Sequence, residues 1–145
     1  MKRLIVGALF IFSSTVAMAD WRAISDAVYL DSLTVGNRAQ LIVDGESMIF
    51  TFPGEPSCSA YKNSSEEPME WPLKLNEKYV KFNGACAYGA MVYAPKTRQG
   101  ASYLRQEIKS GRDIKFIPPS DREIIFVNKG LFDAIRKVRE AQDAI

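Results

Sequence analysis

The chain has 145 residues, 47% of them apolar and 25% charged, with 19 lysines and arginines against 17 acidic residues and no histidine. That length and mixture describe one folded domain, and the missing histidine removes Ser-His-Asp triads, Cys-His nucleophile pairs and imidazole metal sites. Two cysteines without Cys-x-x-Cys spacing exclude the usual structural zinc sites as well.

Met1 to Ala19 has the three zones of a secretory signal. Lys2 and Arg3 form a positive start, Leu4 to Phe12 is apolar apart from Gly7, and Ala17-Met18-Ala19 places small residues where signal peptidase reads. Cleavage predicts a mature start at Asp20 and one exported globular domain over residues 20–145, periplasmic or secreted. The apolar run is too short to span about 30 Å of hydrocarbon, and no later stretch approaches the ~20 residues a helical span needs. No transmembrane segment is therefore expected after cleavage. Neither a lipoprotein cysteine nor a twin-arginine pair accompanies the signal, which points to export before folding. Lys2 and Arg3 also carry the whole charge excess: without them 17 cations face 17 carboxylates, so a polybasic nucleic-acid or anionic-membrane surface loses its support.

Trp21, Ile24, Ala27 and Val28 lie at near-helical spacing, which suggests a short amphipathic helix at 20–30, with a strand as the alternative. Ala39 to Val43 is a β-rich run, Asp44-Gly45 a two-residue hairpin turn, and Met48, Phe50 and Phe52 alternate along the return strand. Pro53 to Pro72 differs in kind. It holds four of the seven prolines, Cys58, the polar run Lys62 to Ser65, and Glu66, Glu67 and Glu70 beside Trp71. A connection of this length signals either function or flexibility. Leu73 to Phe82 resumes strand patterning and is expected to close at Asn83-Gly84, with Cys86 to Ala94 returning.

Gly100 to Gly111 reads as a helix with Tyr103, Leu104 and Ile108 on one side, Ser102 or Gln99 as cap, and Gly111 as the left-handed C-terminal glycine. Ile114 and Phe116 alternate up to the turn Pro118-Pro119-Ser120-Asp121, and Ile124 to Val127 answers as the paired strand. In the last helix Leu131, Ile135, Val138 and Ala141 form an apolar stripe. The expected fold is α+β: an antiparallel β-sheet or small sandwich, a short middle helix, and a C-terminal helix packed on it. Cys58 and Cys86, both in the exported part, are expected to form one disulfide; the loop of about 29 residues so closed is worth roughly 3 to 4 kcal/mol.

Without histidine the catalytic options are carboxylate pairs, a lysine-activated nucleophile or a carboxylate-bound metal. Glu66, Glu67 and Glu70 neighbour Trp71 and Tyr61, but glycosidase chemistry needs two carboxyls on rigid supports, and a Pro- and Ser-rich loop is a poor one. The same cluster serves better as a partner-binding surface of Glu66, Glu67, Glu70 and Trp71, with a solvated loop as the plain alternative. Neither Asp44-Gly45-Glu46 nor the acids at 66 to 70 have the ligand spacing of a calcium loop, so no metal and no cofactor are expected. Lys129, Arg136, Lys137 and Arg139 suit the outer face and C-terminal dipole of a surface helix. Asn63-Ser64-Ser65 matches the glycosylation pattern, which occurs often by chance.

Val43-Asp44-Gly45 ending an early strand, a mid-chain cysteine region, Tyr103-Leu104-Arg105 to Lys109-Ser110-Gly111 leading into Ile114 to Phe116, and Gly130-Leu131-Phe132-Asp133-Ala134-Ile135 opening the last helix come in an order that resembles the invasion-associated locus B family of small exported bacterial proteins. The chain departs from that pattern where Trp21 is followed by Arg22, Ala23 and Ile24 rather than by a Trp-x-x-Cys start. The resemblance implies a periplasmic or surface β-sandwich-like protein linked to host interaction, with no catalytic residues to carry over. The expectation is a non-enzymatic periplasmic binding or accessory protein, tied to virulence or envelope assembly, whose partner is another envelope or secreted protein. A periplasmic immunity or inhibitor protein, inserting Glu66 to Trp71 into a toxin or cell-wall hydrolase, is the alternative.

Overall fold

Alternation of buried and exposed residues runs through nearly every strand of the computed structural model, which describes residues 20–34, 38–54, Cys58, 69–87, 89–119 and 122–144. β1 (Arg22–Ile24), β2 (Ala27–Asp31), β3 (Gln40–Asp44) and β4 (Ser47–Pro53) form a meander. β5 (Met69–Leu75), β6 (Lys78–Ala87) and β7 (Ala90–Pro95) form a second one, followed by α1 (Arg98–Lys109), β8 (Ile114–Ile117), β9 (Ile124–Phe126) and α2 (Leu131–Gln142).

All described strands belong to one nine-stranded antiparallel sheet in the order β1-β2-β3-β4-β7-β6-β5-β8-β9. The second meander is therefore inserted in reverse, with β7 against β4 and β5 against β8. The sheet curls into a half-barrel. Phe50 of β4 stacks on Phe116 of β8 at 4.3 Å and meets Phe126 of β9 at 5.5 Å, although three strands separate β4 from β8 in the sheet. The Leu33 N–H donates to the Ile125 carbonyl, and the Ile125 N–H to Thr34 Oγ1, drawing the segment after β2 to the far edge.

The concave face holds the core: Leu30, Leu41, Phe50, Leu75, Phe82, Ile114, Phe116, Ile124 and Phe126 are all fully buried. Each such side chain contributes about 1.5 to 3 kcal/mol by leaving water. α1 closes one part of the core with Leu104 and Ile108, and α2 lies against β1 and β2 with Ala134 and Val138.

The α+β class, the antiparallel pairing and the Cys58–Cys86 disulfide match the sequence reading. The sheet is larger than the expected small sheet or sandwich, because the curl lets one sheet enclose its own core. Residues 22–31 form the β1–β2 hairpin instead of a helix; period-two burial of Val28 and Leu30 wins over the near-helical spacing. Pro53 ends β4 and Pro72 lies inside β5, so strand structure enters both ends of the expected connection. The strand expected over Leu73–Phe82 is split by a turn at Asn76-Glu77, where Asn76 takes the positive φ of 49° that asparagine tolerates. Asn83-Gly84, read as a turn, lies inside β6. The α1 cap is Thr97, whose Oγ1 accepts from the Gly100 N–H at 3.0 Å, in place of Ser102 or Gln99. Gly111 is left-handed as expected. In α2 the buried positions are Ala134 and Val138, while Ala141 is exposed at the helix end.

The secretory signal, Tyr61, the glycosylation pattern at Asn63, Glu66, Glu67, Ser120 and Asp121 lie outside the described residues. Among the described residues no helix is long and apolar enough to cross a membrane.

Candidate functional site

β6 outlasts its partner β7. The last β6–β7 pair is Phe82–Pro95, after which Lys96 N–H donates to the Lys81 carbonyl at 2.8 Å and the chain turns into α1. The space that β7 vacates is a groove of about 350 Å³ between the first residues of β6 and the start of α1. Lys78, Tyr79, Val80 and Lys81 line one side; Thr97, Gln99, Gly100 and Tyr103 line the other. Gly100 sets the approach of the two walls, since a Cβ there would stand 2.7 Å from Val80 Cγ1.

Strand alternation orients the β6 wall. Val80 and Phe82 turn inward and are buried, so Tyr79 and Lys81 turn outward. Tyr79 is 75% exposed, an unusual position for a tyrosine, and Lys74 of β5 stands directly across from it. On the α1 wall the half-buried Tyr103 hydroxyl donates to the Leu75 carbonyl at 3.4 Å, and Lys78 Nζ lies 4.9 Å from its ring centroid. Burial, helped by the nearby charge of Glu107, pushes the Tyr103 phenol above its ordinary pKa of 10.0. This phenol therefore stays protonated and acts as a donor throughout the neutral range.

A buried polar cluster stands behind the groove and fixes α1. Glu107, 4% exposed, accepts from Arg112 Nη2 at 2.6 Å and from Asn76 Nδ2 at 2.5 Å. Asn76 also pairs with the backbone of Lys115 in both directions, which ties the β5–β6 turn to β8. Asn128 Nδ2 donates to the carbonyls of Ile108 and Arg112, and its Oδ1 accepts from Trp21 Nε1 at 2.7 Å. Among the described residues no buried side-chain oxygen or nitrogen lacks a hydrogen-bond partner, and the bonds of Glu107 to Arg112 and Asn76 hold α1 in place.

The sequence-derived partner surface divides. Glu70 and Trp71 are neighbours in β5 and therefore face opposite sides of the sheet. Glu70 is half-exposed and ion-paired with Lys96 at the border of the groove. Trp71 packs edge-on to Tyr93 with ring centroids 5.9 Å apart and covers Gly84. Cys58 and Cys86 form the disulfide, with Cys58 buried in the core. The sequence reading gives none of the groove residues Lys78, Tyr79, Lys81, Gln99 and Tyr103 a functional role, placing Gln99 as a helix cap and Tyr103 on a helix face only; the available signal was an outward tyrosine set among lysines next to inward Val80 and Phe82. Among the described residues no group of acidic and cysteine side chains is arranged to hold a metal ion. Compared with known proteins, the chain matches no family model, no curated protein sequence and no solved structure.

Proposed function

We propose that this chain is a non-enzymatic binding or accessory protein of the periplasm or the extracellular space, released by cleavage before Asp20 and tied to envelope assembly or virulence. Its partner is another envelope or secreted protein, and its contact surface is the groove between β6 and α1. The observation that carries the reading is the groove's exposed lining. A tyrosine 75% open to solvent stands among Lys74, Lys78 and Lys81, on walls held rigid by Gly100 and by the Glu107 cluster. Aromatic side chains with mixed apolar and polar character are the favoured anchors of protein contacts. The Cys58–Cys86 disulfide supports an oxidising compartment.

The test is a photo-crosslinking residue placed at Gln99 in bacterial cells that express and export the full chain, with the same residue at the exposed Lys137 of α2 as control. A discrete adduct in the envelope or medium from Gln99, absent from Lys137, is the expected result. No adduct in any growth phase, or identical adducts from both positions, overturns the reading. An adduct with a toxin or cell-wall hydrolase whose activity the chain blocks replaces it with the inhibitor function.

A further inference from the structure

The backbone of β6 specifies what form of partner fits the groove. Residues of alternating pairs in an antiparallel strand direct their N–H and C=O to opposite neighbours. The Lys81 carbonyl points away from β5, because it accepts from Lys96. Tyr79, two residues earlier, therefore directs both its N–H and its C=O to that same side, where β7 has already left. Among the described residues no strand continues there, and Thr97, Gln99 and Gly100 form the facing wall. A strand edge opposite a helix is a seat for an extended peptide, which adds a short strand and pairs with the exposed backbone.

Charge selects among such peptides. Lys78 and Lys81 line the groove, Lys74 stands beside Tyr79, and none of the described lining residues is acidic. Glu70 at the border is matched by Lys96 and Glu107 behind the wall by Arg112, while Glu77, beside Lys78 and near the Tyr103 hydroxyl, is outnumbered by Lys74, Lys78 and Lys81. We infer that the groove binds an acidic, extended peptide segment of the partner protein by strand addition to β6 at Tyr79, with Lys78 and Lys81 meeting its carboxylates. This rests on the binding reading above and names the chemistry of the segment bound. The tyrosine ring offers an apolar face to one side chain of that segment.

The probe is a fluorescein-labelled peptide of alternating glutamate and threonine, titrated with the purified full chain at about 0.15 M ionic strength. Saturable binding is expected, together with slower hydrogen exchange at the Tyr79 amide. N-methylation of alternate peptide amides should weaken binding at least about tenfold by blocking the added strand. Replacing glutamate by lysine in the peptide, or the double change Lys78→Glu and Lys81→Glu in the protein, should weaken it at least as much, by about tenfold or more. Lys78→Met with Lys81→Met gives the same readout should charge reversal disturb the far-UV circular dichroism. Equal affinity for the methylated peptide, or an unchanged Tyr79 amide, overturns strand addition. No saturable binding while the Gln99 adduct still forms overturns the acidic-peptide assignment alone; loss of the adduct as well overturns the binding reading too.

Discussion

Asn128 is 4% exposed and ties two distant parts of the chain to its own: Trp21, just before β1, and the end of α1, through the carbonyls of Ile108 and of Arg112 beyond it. Its amide is matched to the task, since one oxygen accepts the indole N–H while one NH₂ group serves the Ile108 carbonyl at the end of the helix and the Arg112 carbonyl beyond it. Asn128→Ala strands the buried Trp21 N–H and takes the amide donor away from the Ile108 and Arg112 carbonyls. The expected loss is about 2 to 4 kcal/mol in urea unfolding; a loss below about 0.5 kcal/mol would show that the site admits water. Nothing around Val127-Asn128-Lys129 announces this role in the sequence. A polar residue shortly before a helix reads as a connection, and its partners lie 20 and 107 positions away. The same distance hid the groove: Tyr79 reads as an ordinary strand residue until α1 is placed opposite it.

β6 shows how a local turn signal yields to packing. Asn-Gly between apolar runs is a strong hairpin dipeptide, yet Asn83 and Gly84 pair with Ala94 and Tyr93 in the middle of the sheet. The glycine is there for want of a side chain. A Cβ at 84 would lie 2.4 Å from Trp71 Cζ3 and 3.0 Å from Tyr93 Cε1, so Trp71 occupies the volume a larger residue would need. Gly84→Ala should therefore destabilise the protein by about 1 to 3 kcal/mol, and Trp71→Leu should offset part of that loss when the two are combined. Urea unfolding of the four proteins in this cycle decides it, and strictly additive losses would contradict the contact. The hairpin expected at Asp44-Gly45, by contrast, forms one residue later: Asp44 ends β3 opposite Ser47, the two-residue loop is Gly45-Glu46, and Gly45 takes a φ of 57° with open space around it. Helical periodicity was equally legible in α1 and α2, because one apolar stripe on a polar background has few other solutions.

At the scale of the molecule, strand existence was far easier to read than strand order. Alternation marks which face of a strand is buried but does not say which strand lies beside it. Here the connection from β4 to β5 passes two strands before the second meander folds back, and no local residue encodes that jump. The disulfide secures it: Cys58 lies in that connection and joins Cys86 near the end of β6. Replacing both cysteines by alanine should cost about 3 to 4 kcal/mol, read as a lower urea midpoint that added reductant no longer moves; an unchanged midpoint would show that the connection is held by packing alone. The Trp21–Asn128 bond adds a constraint in time. A chain that emerges from its N-terminus carries Trp21 without its partner until residue 128 has appeared, 107 positions later. The two meanders can pair earlier, but the half-barrel is latched only by the last part of the polypeptide. Quenching and spectral shift of Trp21 should thus mark the final event of folding, and a chain stalled before Asn128 stays in an open form suited to further threading.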